Sequence, residues 1–318
     1  LTKALTLPLV GIGTVAVRAA VNFESAFAGV RKTVDATESQ FKELEQGIRD
    51  MAQRLPASTT EIAKVAEAAG QLGIKREAIL SFTETMIKLG TTTNLTSEEA
   101  ATALARMANI MGIASQDFDK LGATIVALGN AGASTESEIV AMSLRLAGAG
   151  KTIGLSADQV LGFANALSSV GIEAEAGGSA FSRVMVEMKN EVASNGKNLE
   201  AFAAVAGLSV AEFTRLFEQD AAGAIVSFVE GLGKMQSSGQ NVFPVLESLG
   251  LSEIRVRDAL LRASGAGDLF RQSLEQGSKA WQDNTALNKE AAERYKTLAS
   301  QFQVLRNRLS EVAITVGE

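Results

Sequence analysis

Residues 156–172 read SADQVLGFANALSSVGI, and this one stretch spells out a complete short helix. Ser156 opens it, with Gln159 three residues on to cap the cap residue in return. Val160, Phe163, Ala164 and Leu167 then place an apolar stripe on one helical face. Gly171-Ile172 closes it: glycine takes a left-handed turn and the following aliphatic side chain folds back on the helix. The same punctuation recurs along the chain. Starts of this kind stand at Thr37/Gln40, Ser58/Glu61, Thr96/Glu99 and Ser209/Glu212. Stops of this kind stand at Gly73-Ile74, Gly112-Ile113, Gly154-Leu155, Gly207-Leu208 and Gly250-Leu251. Pro56, after Leu55, ends another helix because it has no N–H to continue the ladder. Phe41, Leu44, Ile48, Met51 and Leu55 form a second stripe. No alternation of β-branched and polar residues persists beyond four or five positions, so nothing reads as a strand. The fold class expected is all-α: a compact bundle of short, Gly-terminated helices.

Working outward, residues 1–34 read as an apolar N-terminal helix, 35–265 as a compact all-helical core domain and 266–318 as a long C-terminal amphipathic segment. The stops at 73, 112 and 154 lie about 40 residues apart, as in paired-helix repeats, but those at 171, 207 and 250 break that period. In the last segment Ala291, Tyr295, Leu298, Phe302, Leu305, Leu309, Val312 and Val316 are spaced 4, 3, 4, 3, 4, 3, 4. That is a coiled-coil seam. Tyr295, Leu298, Phe302, Leu305, Leu309 and Val312 are therefore the candidate residues for self-association. A helix docking back on its own domain would carry the same stripe. The flanking Arg294, Arg306 and Arg308 have no matching acids and do not encode a partner.

Composition removes whole classes of chemistry. The 318 residues contain no Cys and no His, which excludes disulfide frameworks, thiolate zinc sites, Cys nucleophiles and Ser-His-Asp triads. One Trp and one Tyr leave little for base stacking. The net charge is -6 and unevenly spread: residues 1–34 carry +3 and 286–318 carry +1, leaving -10 between them. Such a middle does not suit nucleic acid. Residues 4–17, ALTLPLVGIGTVAV, are too few for the roughly 20 needed to span a bilayer, and read instead as a buried helix. A chain that opens on Leu1 and closes inside a helical pattern also reads as a piece of something longer.

Some motifs tempt. Gly148-Ala149-Gly150-Lys151-Thr152 ends like a phosphate-binding loop, but Arg145 stands where the first Gly is needed and an amphipathic helix precedes it. Gly11-Ile12-Gly13-Thr14-Val15-Ala16, with Asp35 beyond, matches a dinucleotide fingerprint without the βαβ unit that would give it meaning. Glu98-Glu99, Asp117/Asp119 and Glu173/Glu175 fall at helix starts, where acids complement the dipole. Met107, Met111, Met142, Met185 and Met188 keep helical spacing and read as core. No cofactor or metal is expected.

The order of several segments carries a resemblance. Phe23-Glu24-Ser25-Ala26-Phe27 with Val30 and Val34 leads to TTEIAKVAEAAGQLGI at 59–74. TTTNLTSEEAATALARMANIMGI follows at 91–113, and then the 156–172 segment. Together they resemble the core region of bacteriophage tail tape measure proteins, over most of the chain and most strongly over 20–260. The resemblance implies a non-enzymatic structural protein in the lumen of the virion tail, present in the host cytoplasm during assembly. It would set tail length and leave during genome ejection. It further implies tail tube subunits, tail assembly chaperones and distal tail or baseplate hub proteins as partners. Self-association and transient host membrane contact fit the same picture, and sequence-specific nucleic acid binding does not. The competing reading is a membrane-active, pore-forming helical protein for DNA delivery, with residues 4–17 as the inserting arm.

Overall fold

A computed structural model describes the backbone of residues 2–317 and the side chains of residues 18–312 and Thr315. All regular structure among these is helical. In chain order the α-helices are α1 (Thr2–Thr33), α2 (Glu38–Arg54), α3 (Thr59–Gln71), α4 (Arg76–Thr92), α5 (Ser97–Met111), α6 (Phe118–Ala131), α7 (Glu136–Ile153), α8 (Ala157–Ser169) and α9 (Ser179–Ser194). They continue as α10 (Leu199–Val205), α11 (Val210–Gln219), α12 (Ala221–Ser237), α13 (Phe243–Ser248), α14 (Ile254–Ser264), α15 (Gly267–Asp283), α16 (Ala286–Tyr295) and α17 (Leu298–Gly317). A π-turn, Ala174–Gly178, precedes α9.

The sequence punctuation is realised atom by atom. Gly73, Gly112, Gly154, Gly171, Gly207 and Gly250 take φ between 70° and 90°. The N–H of the aliphatic residue after each donates to the carbonyl five residues back, at 2.8–3.1 Å, as in Ile172 to Leu167 and Leu251 to Leu246. Thr37, Thr96, Ser156 and Ser209 form reciprocal capping boxes. Ser58 makes only half of one. It accepts the Glu61 N–H at 3.2 Å, while the Glu61 carboxylate accepts instead from Ser97 Oγ at 3.4 Å. Thr135 with Glu138 is a further reciprocal box that the sequence reading does not contain.

The chain divides into two units. The first comprises residues 2–105, 114–122 and 287–317. The last turns of α1 bury Phe23, Phe27 and Val30, and Thr33 Oγ1 donates to the Glu67 carbonyl of α3 at 3.2 Å. Phe27 meets Phe41 edge-on at 6.4 Å. The Arg31 guanidinium lies 4.8 Å from the Phe41 ring centre and pairs with Glu38 at 2.8 Å. Phe82 and Phe118 pack edge-to-face at 4.8 Å. The predicted stripe Phe41, Leu44, Ile48, Met51 and Leu55 is buried throughout.

The second unit comprises residues 106–113 and 123–286. Phe163, Phe181 and Phe270 form one ring cluster, with centroids 5.9–6.2 Å apart. Phe202 packs against Phe213 and Phe228 in another, at 6.5 and 5.3 Å. The side chain of Asn165, 2 % exposed, donates to Ser273 Oγ at 2.9 Å and accepts from Ser134 Oγ at 2.7 Å. This satisfied polar bridge fixes α8 on α15, because slipping either helix would strand the amide without partners.

Glycine is also used for close approach. On α12, a Cβ at Gly231 would stand 1.7 Å from the Val205 carbonyl oxygen, an obstacle of backbone that cannot swing aside. Gly148 on α7 is exposed, with open space where its Cβ would go. Gly231→Ala is therefore expected to destabilise by about 1–3 kcal/mol despite alanine's better helix propensity. Gly148→Ala should stabilise by about 0.5–1 kcal/mol. Urea unfolding of the two variants checks both signs.

Candidate assembly interface

The candidate seam residues fall on two helices. α16 ends at Tyr295, and α17 starts at Leu298 with Thr297 capping it, its Oγ1 accepting from the Ser300 N–H at 3.3 Å. Leu298, Phe302, Leu305, Leu309 and Val312 share one face of α17 and are 73 %, 68 %, 52 %, 65 % and 62 % exposed. Tyr295 does not join them. It is half-buried within the first unit, and burial, followed by the nearby Glu84 carboxylate, pushes its hydroxyl pKa upward. Val316 lies outside the described side chains.

Another face of α17 docks on α2 through polar side chains. Asn307, 4 % exposed, directs its Nδ2 amide at the carbonyls of Ala52, Leu55 and Ala57, at 2.9, 3.2 and 2.6 Å. These lie at and just past the C-terminus of α2, where helical carbonyls have no intrahelical partner. Gln303 Nε2 holds the Asn307 oxygen at 2.9 Å. Arg308 Nε donates to the Gln53 carbonyl at 3.0 Å. Arg49 of α2 donates through Nε to Glu311 at 2.7 Å and through Nη2 to Thr315 Oγ1 at 3.1 Å. Towards α2, then, α17 turns polar groups, while Leu298, Phe302, Leu305, Leu309 and Val312 stay exposed.

A second polar cluster holds α4 in the same unit. Glu84 accepts two bonds from Arg54, at 2.8 and 2.5 Å, and pairs with Lys88 at 2.9 Å. The Arg54 hydrogen bond and then the lysine hold its pKa at about 2, against the opposing effect of burial. Lys88 also donates to Asn288 of α16 at 2.9 Å.

The tempting motifs resolve into structure. Gly148 to Thr152 lie inside α7, and Lys151 Nζ donates to the Met111 carbonyl at 2.5 Å, capping the end of α5. Residues 11–16 lie within α1. Glu98 and Glu99 occupy the first turn of α5, and Asp117 pairs with Lys120 at 2.8 Å. All five methionines of the helical pattern are buried. Among the described residues there is no group of acidic side chains that could hold a metal ion, and no helix is long and apolar enough to cross a membrane. The side chains of residues 4–17, the arm of the membrane-active reading, lie outside the described residues.

A family model described as phage-related minor tail protein matches residues 45–250. The chain is also similar to a probable tape measure protein of Halomonas phage phiHAP-1, with 23 % identity over 229 residues. That alignment takes in 68 % of this chain and 26 % of the relative, so the chain corresponds to about a quarter of the phage protein's length. No solved structure matches it.

The Glu84 cluster gives the unit a defined acid sensitivity. The folded pKa lies below the ordinary 4.5, so the stabilisation is fully present above that value and is lost as pH falls towards about 2. Discounted for the partial exposure of both partners, it amounts to about 1–2 kcal/mol. Glu84→Gln should lower stability by that amount at pH 7, and the gap to wild type should close between pH 4.5 and 2. Denaturant titrations at several pH values measure it.

Proposed function

Because this chain belongs to the phage-related minor tail protein family, we propose that it is a folded part of a tape measure protein, acting in tail assembly and tail-length determination and released during genome ejection. It would act in the lumen of the virion tail, after a period in the host cytoplasm during assembly, and would perform no catalysis. Tail tube subunits, tail assembly chaperones and distal tail or hub proteins are the partners this reading supplies.

The observation that carries the structural part of the proposal is how the helices end. A ruler of continuous helix adds about 1.5 Å per residue. Here the helices between residues 35 and 265 are at most 18 residues long, and α3, α5, α7, α8, α10, α12 and α13 stop at or just before a left-handed glycine. Their apolar faces are covered by neighbours within their units. Such a region anchors or terminates a tape better than it graduates one.

Copies of the chain would meet through the outer face of α17. In a parallel pair the seam positions face one another, while the flanking Gln301 and Arg308 of one copy approach Arg306 and Ala313 of the other. No like charges are then opposed. Because Leu305 is exposed within its own chain, Leu305→Asp should reduce the mass measured by light scattering without altering helicity. An equal mass in wild type and variant would remove the seam from the proposal.

The functional test is an in-frame deletion of residues 113–154, about 42 residues, in the intact phage. A graduated rod would yield abundant tails uniformly shorter by about 60 Å. The deletion removes buried Leu121, Ile125, Ile139, Met142 and Leu146, so a folded anchor loses part of its core and few or no tails should form. Electron micrographs distinguish the two outcomes.

A further inference from the structure

Two helices of the second unit, α9 and α15, end on a left-handed residue that is not glycine: Asn195 and Asn284, both at φ 48°. Asparagine tolerates that region, but it brings a carboxamide with it. The residue that follows differs, Gly196 after Asn195 and Thr285 after Asn284. Asn195 is the one asparagine of the chain that a glycine follows. We propose that Asn195 is a site of spontaneous deamidation. The backbone nitrogen of Gly196 gives up its proton and bonds to the side-chain carbonyl carbon of Asn195, and the carboxamide nitrogen leaves as ammonia. Water then opens the resulting succinimide at one carbonyl or the other, leaving aspartate or isoaspartate. Water is the co-reactant, and nothing is oxidised or reduced. Glycine has no Cβ to shield its nitrogen, whereas the branched side chain of Thr285 crowds the same approach at Asn284. The Asn195 side chain is exposed and has no hydrogen-bond partner among the described residues, so its carbonyl carbon is open to attack.

The corner between α9 and α10 sets the pace. The Gly196 N–H donates to the Glu191 carbonyl at 2.9 Å, and the ring cannot close until that bond opens. The Glu191 carboxylate, on a residue 9 % exposed, accepts from the Asn198 N–H at 2.9 Å and from its Nδ2 at 3.1 Å. These bonds clamp residues 196–198 against the end of α9, so the reaction follows local opening of the corner. The product is not neutral towards the fold. It puts a carboxylate where the last carbonyls of α9 already form the negative end of the helix dipole. Isoaspartate also adds a methylene to the backbone, which displaces Gly196 from its bond to Glu191.

Peptide mapping by mass spectrometry, on the full chain aged in warm, mildly alkaline buffer, tests the proposal. Conversion of amide to acid, with isoaspartate among the products, should accumulate at residue 195 while Asn284 stays intact. In guanidinium, where the corner is open, loss of the Asn195 amide should be faster still. Glu191→Gln keeps the volume of a buried side chain and weakens the clamp on Asn198, so it should speed the loss with helical circular dichroism unchanged. Asn195→Gly keeps the left-handed stop without the reactive amide and should leave the peptide around residue 195 homogeneous over the same interval. An Asn195 amide that survives in the folded chain as long as that of Asn284 would overturn the proposal. Equal rates in the folded and unfolded chain, or in wild type and Glu191→Gln, would overturn the control by the corner.

Discussion

The left-handed glycine at the end of a helix is the constraint on which this architecture rests. An L-residue with a side chain pays to enter that region and glycine does not. The six Gly-aliphatic stops reverse the chain within a few residues, and the aliphatic neighbour returns its side chain and N–H to the helix just finished. Without those reversals the apolar stripe of α8 would have no partner helices to cover it. Isolated helices of this length are marginal in water, so packing, and not propensity, keeps them helical. The ring clusters at Phe163 and Phe202 are part of that packing.

Much of this was legible in the sequence because caps and glycine stops are local physics, written within five residues. The stripe at Phe41 to Leu55 and the core methionines were legible for the same reason, since helical period alone places them on one face. The phosphate-loop and dinucleotide lookalikes could be discounted for want of a strand beside them, and both fall within helices. What the sequence could not show is long-range. Nothing near Gly231 announces that the Val205 carbonyl will press against it. Asn165 looks like an ordinary polar interruption until Ser134 and Ser273 are brought to it. The Thr135/Glu138 box is local in the same sense, set in a loop crowded with small residues.

The last helix shows the same limit most clearly. Heptad spacing marks Tyr295 to Val312 as a candidate seam, yet spacing is equally consistent with a stripe turned inward or outward. The decision lies with Asn307, Arg308 and Glu311, whose partners Ala52, Gln53 and Arg49 are some 250 residues away in the chain. Their polar docking commits the inner face and leaves the apolar one to solvent.

The helices are held by packing within folded units and do not form a self-sufficient rod. Differential scanning calorimetry of the isolated chain, followed in parallel by circular dichroism, tests this most directly. Packed units predict a sharp heat-absorption peak of about 0.7 kcal/mol per residue, with helicity lost over the same narrow temperature range. A gradual loss of helicity across tens of degrees without a calorimetric peak would contradict it.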